Sequence, residues 1–328
     1  MKEKKANPVL NWVKNHKTEV AAYCGLVFCI ALFSIIPPLR PKPQSIWTIS
    51  KMEDILTTVI VLALMSVGAI FVYALGSMDV SIGKQVGLYA TLIVVLGNKT
   101  GSLLPGILLS VVIAIVIGAA NGAIGELLHI HPVVSSVVFM MILGGVSTIT
   151  YNSLGSRNVS LKTIDHHIFK SPWLMLLVLV VEIVVVTYLF NYTKFGKYAK
   201  AIGANPVAAQ QSGINLVKYK VIAYVIMGIC VVVASLFQMG YTGSASDSTG
   251  TGFEMEVMVA LILGGMPLSG GMRSKVSCAV VGSFTFALLD VGLPMIGVKP
   301  NQVFIIKAII FLIVVLITCR KKNGTLPR

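Results

Sequence analysis

Ten apolar runs divide this chain, and a soluble core has no place for them. They cover 20–36, 55–75, a stretch ending at Leu96, 103–120, 133–149, 173–190, 221–239, 255–263, 276–291 and 304–318. The chain of 328 residues is 56% hydrophobic and only 12% charged, about half the charge of an ordinary soluble domain. The pattern is that of a polytopic membrane protein with an all-α fold, about ten transmembrane helices. Several runs fall short of the ~20 residues that a straight spanning helix needs, so some helices are expected to be short or broken. There is no small-x-small cleavage site before Pro37 and Pro38, so the first run reads as an uncleaved span. This gives an N-terminal segment 1–19, a single transmembrane domain 20–319 and a tail 320–328.

The net charge of +14 does not point to nucleic acid. Lys and Arg sit in short segments between apolar runs, which is how topology is encoded. With the N-terminus inside, the inner segments hold 17 basic residues and the outer ones hold 8. Both termini and residues 193–217 are therefore expected to be cytoplasmic. The five cysteines, at 24, 29, 230, 278 and 319, lie in or beside apolar runs without metal-ligand spacing, and read as small core residues. No metal site and no cofactor is expected.

The interval 193–217 carries charge of one sign only, at Lys194, Lys197 and Lys200, and no Asp or Glu occurs between Glu182 and Asp247. It carries the punctuation of a short helix. Asn205 suits the cap, Pro206 the first turn, and Gly213 the left-handed C-terminal position. Two turns are not stable alone in water, so this helix must dock. Ala208, Ala209 and Ser212 give it a nearly bare face against which another protein's backbone fits closely.

There is also an internal echo. Residues 75–83 read LGSMDVSIG and 263–271 read LGGMPLSGG, with five of nine positions alike. Gly76, Ser81, Gly83, Gly264, Gly265, Ser269, Gly270 and Gly271 are candidates for helix breaks or path positions, and Asp79 is the most interesting acid. Two related halves are common in transporters, and irregular backbone at membrane depth is tolerated when it is buried in protein or lines a cavity.

Four stretches now give a resemblance: GSMDVSIG (76–83), NGAIGELLHIHPVVSSV (121–137), TKFGKYAKAIGANPVAAQQSGIN (193–215) and GSASDSTGTGFEMEVMVALILGGMPLSGG (243–271). In this order and spacing the chain resembles the permease subunits of bacterial ATP-binding-cassette importers for monosaccharides and autoinducer-2, over roughly residues 50–320. The resemblance implies a separate ABC ATPase subunit, a second permease subunit (homodimer or paralogous heterodimer) and an extracellular or periplasmic solute-binding protein, all around a path set in membrane lipid. It implies that residues 205–213 are the helix coupled to the ATPase, with Gly203, Asn205, Pro206, Ala208, Ala209, Ser212 and Gly213 carrying the coupling, and it brings Asn121 into the path set. The family's loop usually reads Asn-Pro-Glu-Ala-Ala, whereas this chain has Val207 in place of the acid.

Other chemistry is sparse. No G-x-x-x-x-G-K-[ST] occurs, so the chain should not itself bind ATP through a phosphate loop. His129 with His131, and His166 with His167, lack the i, i+4 spacing of a helical metal pair and read as loop or interface residues. Glu182 lies deep in a run and Asp290 near the end of one, where it could face water. A secondary transporter driven by an ion gradient is the alternative, but it should need intramembrane acids at mid-depth. The substantial outer loops, 37–53, 150–171 and 240–253, are where a binding protein would dock.

Overall fold

The computed structural model describes residues 17–37, 45–162 and 164–319. The N-terminal segment up to 16, part of the Pro-rich loop and the tail from 320 lie outside the described residues. Twelve α-helices are found among the described residues: α1 (Lys17–Ile35), α2 (Ile49–Ala74), α3 (Ile82–Thr100), α4 (Leu104–Leu127), α5 (Pro132–Leu154), α6 (Pro172–Tyr192), α7 (Lys194–Ala204), α8 (Pro206–Gln211), α9 (Leu216–Thr242), α10 (Phe253–Leu263), α11 (Val276–Met295) and α12 (Pro300–Cys319). Each of the ten apolar runs coincides with a helix, and α7 and α8 fill the basic interval. Six helices, α2, α4, α5, α6, α9 and α11, are long and apolar enough to cross a membrane, which makes this a multi-pass membrane protein. Among the described residues one two-stranded antiparallel ribbon departs from all-α: β1 (Asn158–Ser160) pairs with β2 (Ser244–Ser246).

α2 is the axis of the bundle. Every residue from Val59 to Ala74 is buried, because α6, α9, α10 and α11 all pack against it. α4 and α9 approach through small residues. A methyl group at Gly118 would stand 2.8 Å from the Tyr224 carbonyl oxygen, and one at Gly122 2.8 Å from Val221 Cα. Small residues let helix backbones close on one another where lipid offers no hydrophobic drive between helices. The broad exposed faces of α4, α5, α6 and α12, with residues such as Leu108, Met141, Trp173 and Leu312, suit lipid or a second subunit.

α10 is the broken helix. Its 11 residues rise only about 16 Å, half the ~30 Å hydrocarbon core. The outer loop expected over 240–253 is one only in its first part, which joins the ribbon; the rest turns inward. Asn98, near the end of α3, donates to the Ser160 carbonyl beside the ribbon at 2.8 Å. Yet Thr249 and Gly250 lie against Gly87 and Gly83, at the opposite end of α3. Gly83 and Asn98 are roughly 22 Å apart along that helix. The segment thus descends beside α3, and α10 starts within the bundle.

Three of the described cysteines, Cys29, Cys230 and Cys278, are buried, but Cys24 is exposed on the outer face of α1, so it is not a core residue. Asp290 is not simply a water-facing acid either. It pairs with Lys307, whose ammonium is buried and lies 4.2 Å from the Phe286 ring centre.

Candidate functional site

The basic interval folds as its local chemistry dictates. Asn205 takes an extended conformation (φ −160°, ψ 101°) and its Oδ1 accepts from the Ala208 N–H at 3.1 Å. Pro206 opens α8 where no hydrogen bond is lost. At the far end the Gly213 N–H donates to Gln210 O at 2.9 Å and the Ile214 N–H to Ala209 O at 3.1 Å. That closure requires Gly213 at φ +81°, which glycine reaches without strain. Asn215 then caps α9 by accepting from the Lys218 N–H.

One orientation differs from the sequence expectation. Ala209 is 5% exposed and turns into the chain's own core, while Val207 is 62% exposed. Ala208, Gln210, Gln211 and Ser212 are also exposed. The outward face of α8 is therefore Val207, Ala208, Gln211 and Ser212, and Ala209 anchors the helix. Six residues show too few positions for the buried side to be read from pattern alone.

Gly203 joins this segment to the echoed motifs. A methyl group there would stand 1.9 Å from the Ala74 carbonyl oxygen and 2.7 Å from the Gly271 nitrogen. The Gly271 N–H donates to that same Ala74 oxygen at 2.8 Å. Gly270 lies against Tyr73, Ala74 and Gly76, and Gly76 against the Ser269 carbonyl. The two motifs, nearly 190 positions apart in the chain, thus meet face to face where α2 and α10 both stop. Gly264 packs on α11, where a methyl would lie 1.8 Å from Cys278 O. Gly265 turns the chain there at φ +89°.

Asp79 is 2% exposed and held by four donors. The Ser81 N–H and Oγ–H reach one carboxylate oxygen at 2.7 and 2.6 Å, and Gln85 Nε2 and Asn121 Nδ2 the other at 3.3 and 3.4 Å. Asn121 Oδ1 in turn accepts from Ser135 Oγ at 2.7 Å. The network ties the α2–α3 break to α4 and α5. Asp79, Ser81 and Asn121 thus form one cluster, distinct from the joint around Gly203. Gly83 faces Glu254 and Gly250 at a third place.

Sequence reasoning missed a polar cavity of about 440 Å³ at the other end of the bundle, between α2, α9, α10 and α11. Thr57, Thr58, Gln238, Tyr241, Glu256 and Asp290 line it. The only advance signal was polar residues recurring at helical spacing within apolar runs, and these come from four separate helices.

The sequence that builds this arrangement matches a known family. Residues 51–315 match the family described as branched-chain amino acid transport system / permease component. The chain belongs to that family. Among its relatives, the ribose import permease protein of Escherichia coli strain K12 is 27% identical over 91% of this chain and 94% of its own length. The galactose/methyl galactoside import permease protein of Salmonella typhimurium LT2 is 28% identical over 91% and 92%. The ribose import permease protein of Bacillus subtilis strain 168 is 27% identical over 93% and 94%. The expected permease subunit of an ATP-binding-cassette importer is thereby met. The chain is a transporter subunit, not an enzyme, and works with ATPase and binding-protein partners.

Proposed function

We propose that this permease forms the path of a bacterial importer for a monosaccharide or similar small polar solute. The relatives named for ribose and galactose import cover nearly the whole chain and support that substrate class. A binding protein delivers the solute on the outer side, where the polar cavity lined by Thr57, Gln238 and Glu256 receives it. Both termini and α7–α8 face the cytoplasm of the inner membrane, ten helices enter the bilayer, and a second permease subunit completes the path.

The observation that carries the coupling role is the backbone joint at Gly203. The outward face of α8 receives the ATPase. α7 carries its motion to Gly203, which has no side chain to absorb displacement against Ala74 and Gly271. A push there reaches the end of α2 and the break after α10 together. The ion-gradient alternative draws no support from relatives named as ribose and galactose import permeases, and the buried acid Asp79 is taken up by four internal donors.

The test is copurification and transport with Ala208→Trp. Ala208 is exposed, so the fold should survive and the ATPase should be lost. Retention of the ATPase at the wild-type level would exclude α8 as the docking helix. Labelling of Ser212→Cys from outside intact cells would reverse the proposed orientation.

A further inference from the structure

A second cavity, of about 590 Å³, opens between α1, α6, α7 and α11, at the end of the bundle that carries α8. Its walls differ in chemistry. Ile183, Val280 and Val281 are apolar, while Lys200, Lys275 and Ser274 are polar. α6 continues the apolar wall outward through the exposed Val180, Val181 and Val184.

Three features of the polar wall point to an anion. Lys200 and Lys275 converge on it. The Lys200 ammonium donates to Asn191 Oδ1 at 3.2 Å and stacks 4.2 Å from the Phe190 ring centre, so it is held in place. Burial first, and then the charge of Lys275, pull its pKa down, so an incoming negative charge relieves a repulsion. Lys275 reaches Glu19 Oε1 at 2.6 Å, which answers part of its charge and leaves that of Lys200. Ser274 is 1% exposed, and its hydroxyl has no hydrogen-bond partner among the described residues. A buried unpaired hydroxyl is costly, and it lines this cavity.

We propose that this cavity holds the headgroup phosphate of an anionic phospholipid, with the acyl chains along Ile183, Val280 and Val281. On the orientation proposed above, that is a lipid of the cytoplasmic leaflet. A phosphodiester supplies what the wall lacks: one negative charge for Lys200 and Lys275, and acceptor oxygens for the Ser274 hydroxyl. The apolar half favours a lipid over a free anion. Residues 1–16 are poor occupants, since they hold four lysines and one glutamate. Basic pockets between membrane helices on the cytoplasmic side are suited to such headgroups. The bound lipid clips α7 to α11 beside Gly203, so it should also strengthen the coupling.

The experiment uses the full-length chain in phosphatidylcholine vesicles doped with phosphatidylglycerol bearing a photoreactive headgroup. Cross-links should map to peptides around Tyr23 and Ser277. Lys200→Gln should lower their yield about fivefold, the effect of one lysine near an anionic surface. Val281→Trp, which fills the cavity and keeps both lysines, should lower it as well. Lys197→Gln, on the same helix but away from the cavity, should leave it unchanged. Equal yields in all variants overturn the proposal, as does displacement of the probe by soluble glycerol phosphate. Cross-links from the cavity to residues 1–16 would also overturn it, because the chain would then cover its own cavity. If instead the lipid binds as described but Ala208→Trp keeps its ATPase, the lipid site stands and only the coupling reading falls.

Discussion

Gly203→Ala adds a single methyl group, yet it should separate ATP hydrolysis from transport. The methyl would stand 1.9 Å from the Ala74 carbonyl oxygen, where ordinary contact begins at 3.4 Å. Both partners are backbone, so no rotamer change relieves the clash, and α7 must retreat by about 1.5 Å. Overpacking of this kind costs about 1–3 kcal/mol. The better helix propensity of alanine returns at most ~1 kcal/mol, so the closed joint should lose on the order of 1.4 kcal/mol, a tenfold shift in its population. α8 itself is untouched, so the ATPase should still copurify. The assay is solute imported per ATP hydrolysed in vesicles holding permease, ATPase and loaded binding protein, and that ratio should fall about tenfold. Gly213→Ala is the control. It meets no atom within 4 Å and suffers only from its φ of +81°, a strain of about 1–2 kcal/mol local to the helix end. If Gly203→Ala imports as much solute per ATP as the wild type, motion does not pass through this joint.

Other changes have clear expected outcomes. Val207→Glu, which restores the acid usual in the family, should retain the ATPase at least as well as wild type, because Val207 is 62% exposed and a charge there stays hydrated. Loss of the ATPase would show that the position is buried on docking. Ala209→Asp should lower the yield of folded protein rather than dissociate the ATPase alone, since the carboxylate enters the chain's own core. Gly264→Leu should fail to accumulate in the membrane, because even a methyl lies 1.8 Å from Cys278 O. Normal expression with normal transport would refute that packing. Asp79→Asn turns an acceptor oxygen into an amide that faces the Gln85 and Asn121 donors, or else the two Ser81 donors. It should lower stability by about 1–3 kcal/mol for each unpaired group, read as a lower thermal midpoint in detergent.

What could be read from the sequence was local. Asn205, Pro206 and Gly213 set the limits of α8 through capping and backbone preferences that need no neighbour, and the structure places the helix between them. The apolar runs located the membrane helices for the same reason. What stayed hidden depends on partners distant in the chain. Whether Ala208 or Ala209 turns inward is decided by the elements beneath α8, because the two side chains are identical. The ion pair of Asp290 with Lys307 joins two helices and cannot be seen from either. The descent of Thr249 and Gly250 to Gly83 and Gly87 is a set of backbone approaches, and a polar Gly-, Ser- and Thr-rich stretch reads the same whether it lies in water or inside a bundle.

The echo between 75–83 and 263–271 gains a physical meaning from this placement. Similar Gly-rich turns arise easily by chance, but these two touch, and they do so through backbone. Ala74 O accepts from the Gly271 N–H, and Gly270 sits on Tyr73 and Gly76. Each motif ends a helix, α2 in one case and α10 in the other. Helix ends leave carbonyls unpaired, and inside a membrane protein those groups must find internal partners. Here one helix end is answered by the turn that follows the other. That mutual satisfaction needs glycine on both sides, because any Cβ would hold the turns apart. It also fixes the two breaks to each other, so they move as a unit. Gly203 is the third member of the contact and belongs to the segment proposed to receive the ATPase. A joint of three backbones without intervening side chains is stiff, which is what a lever needs where it meets its load.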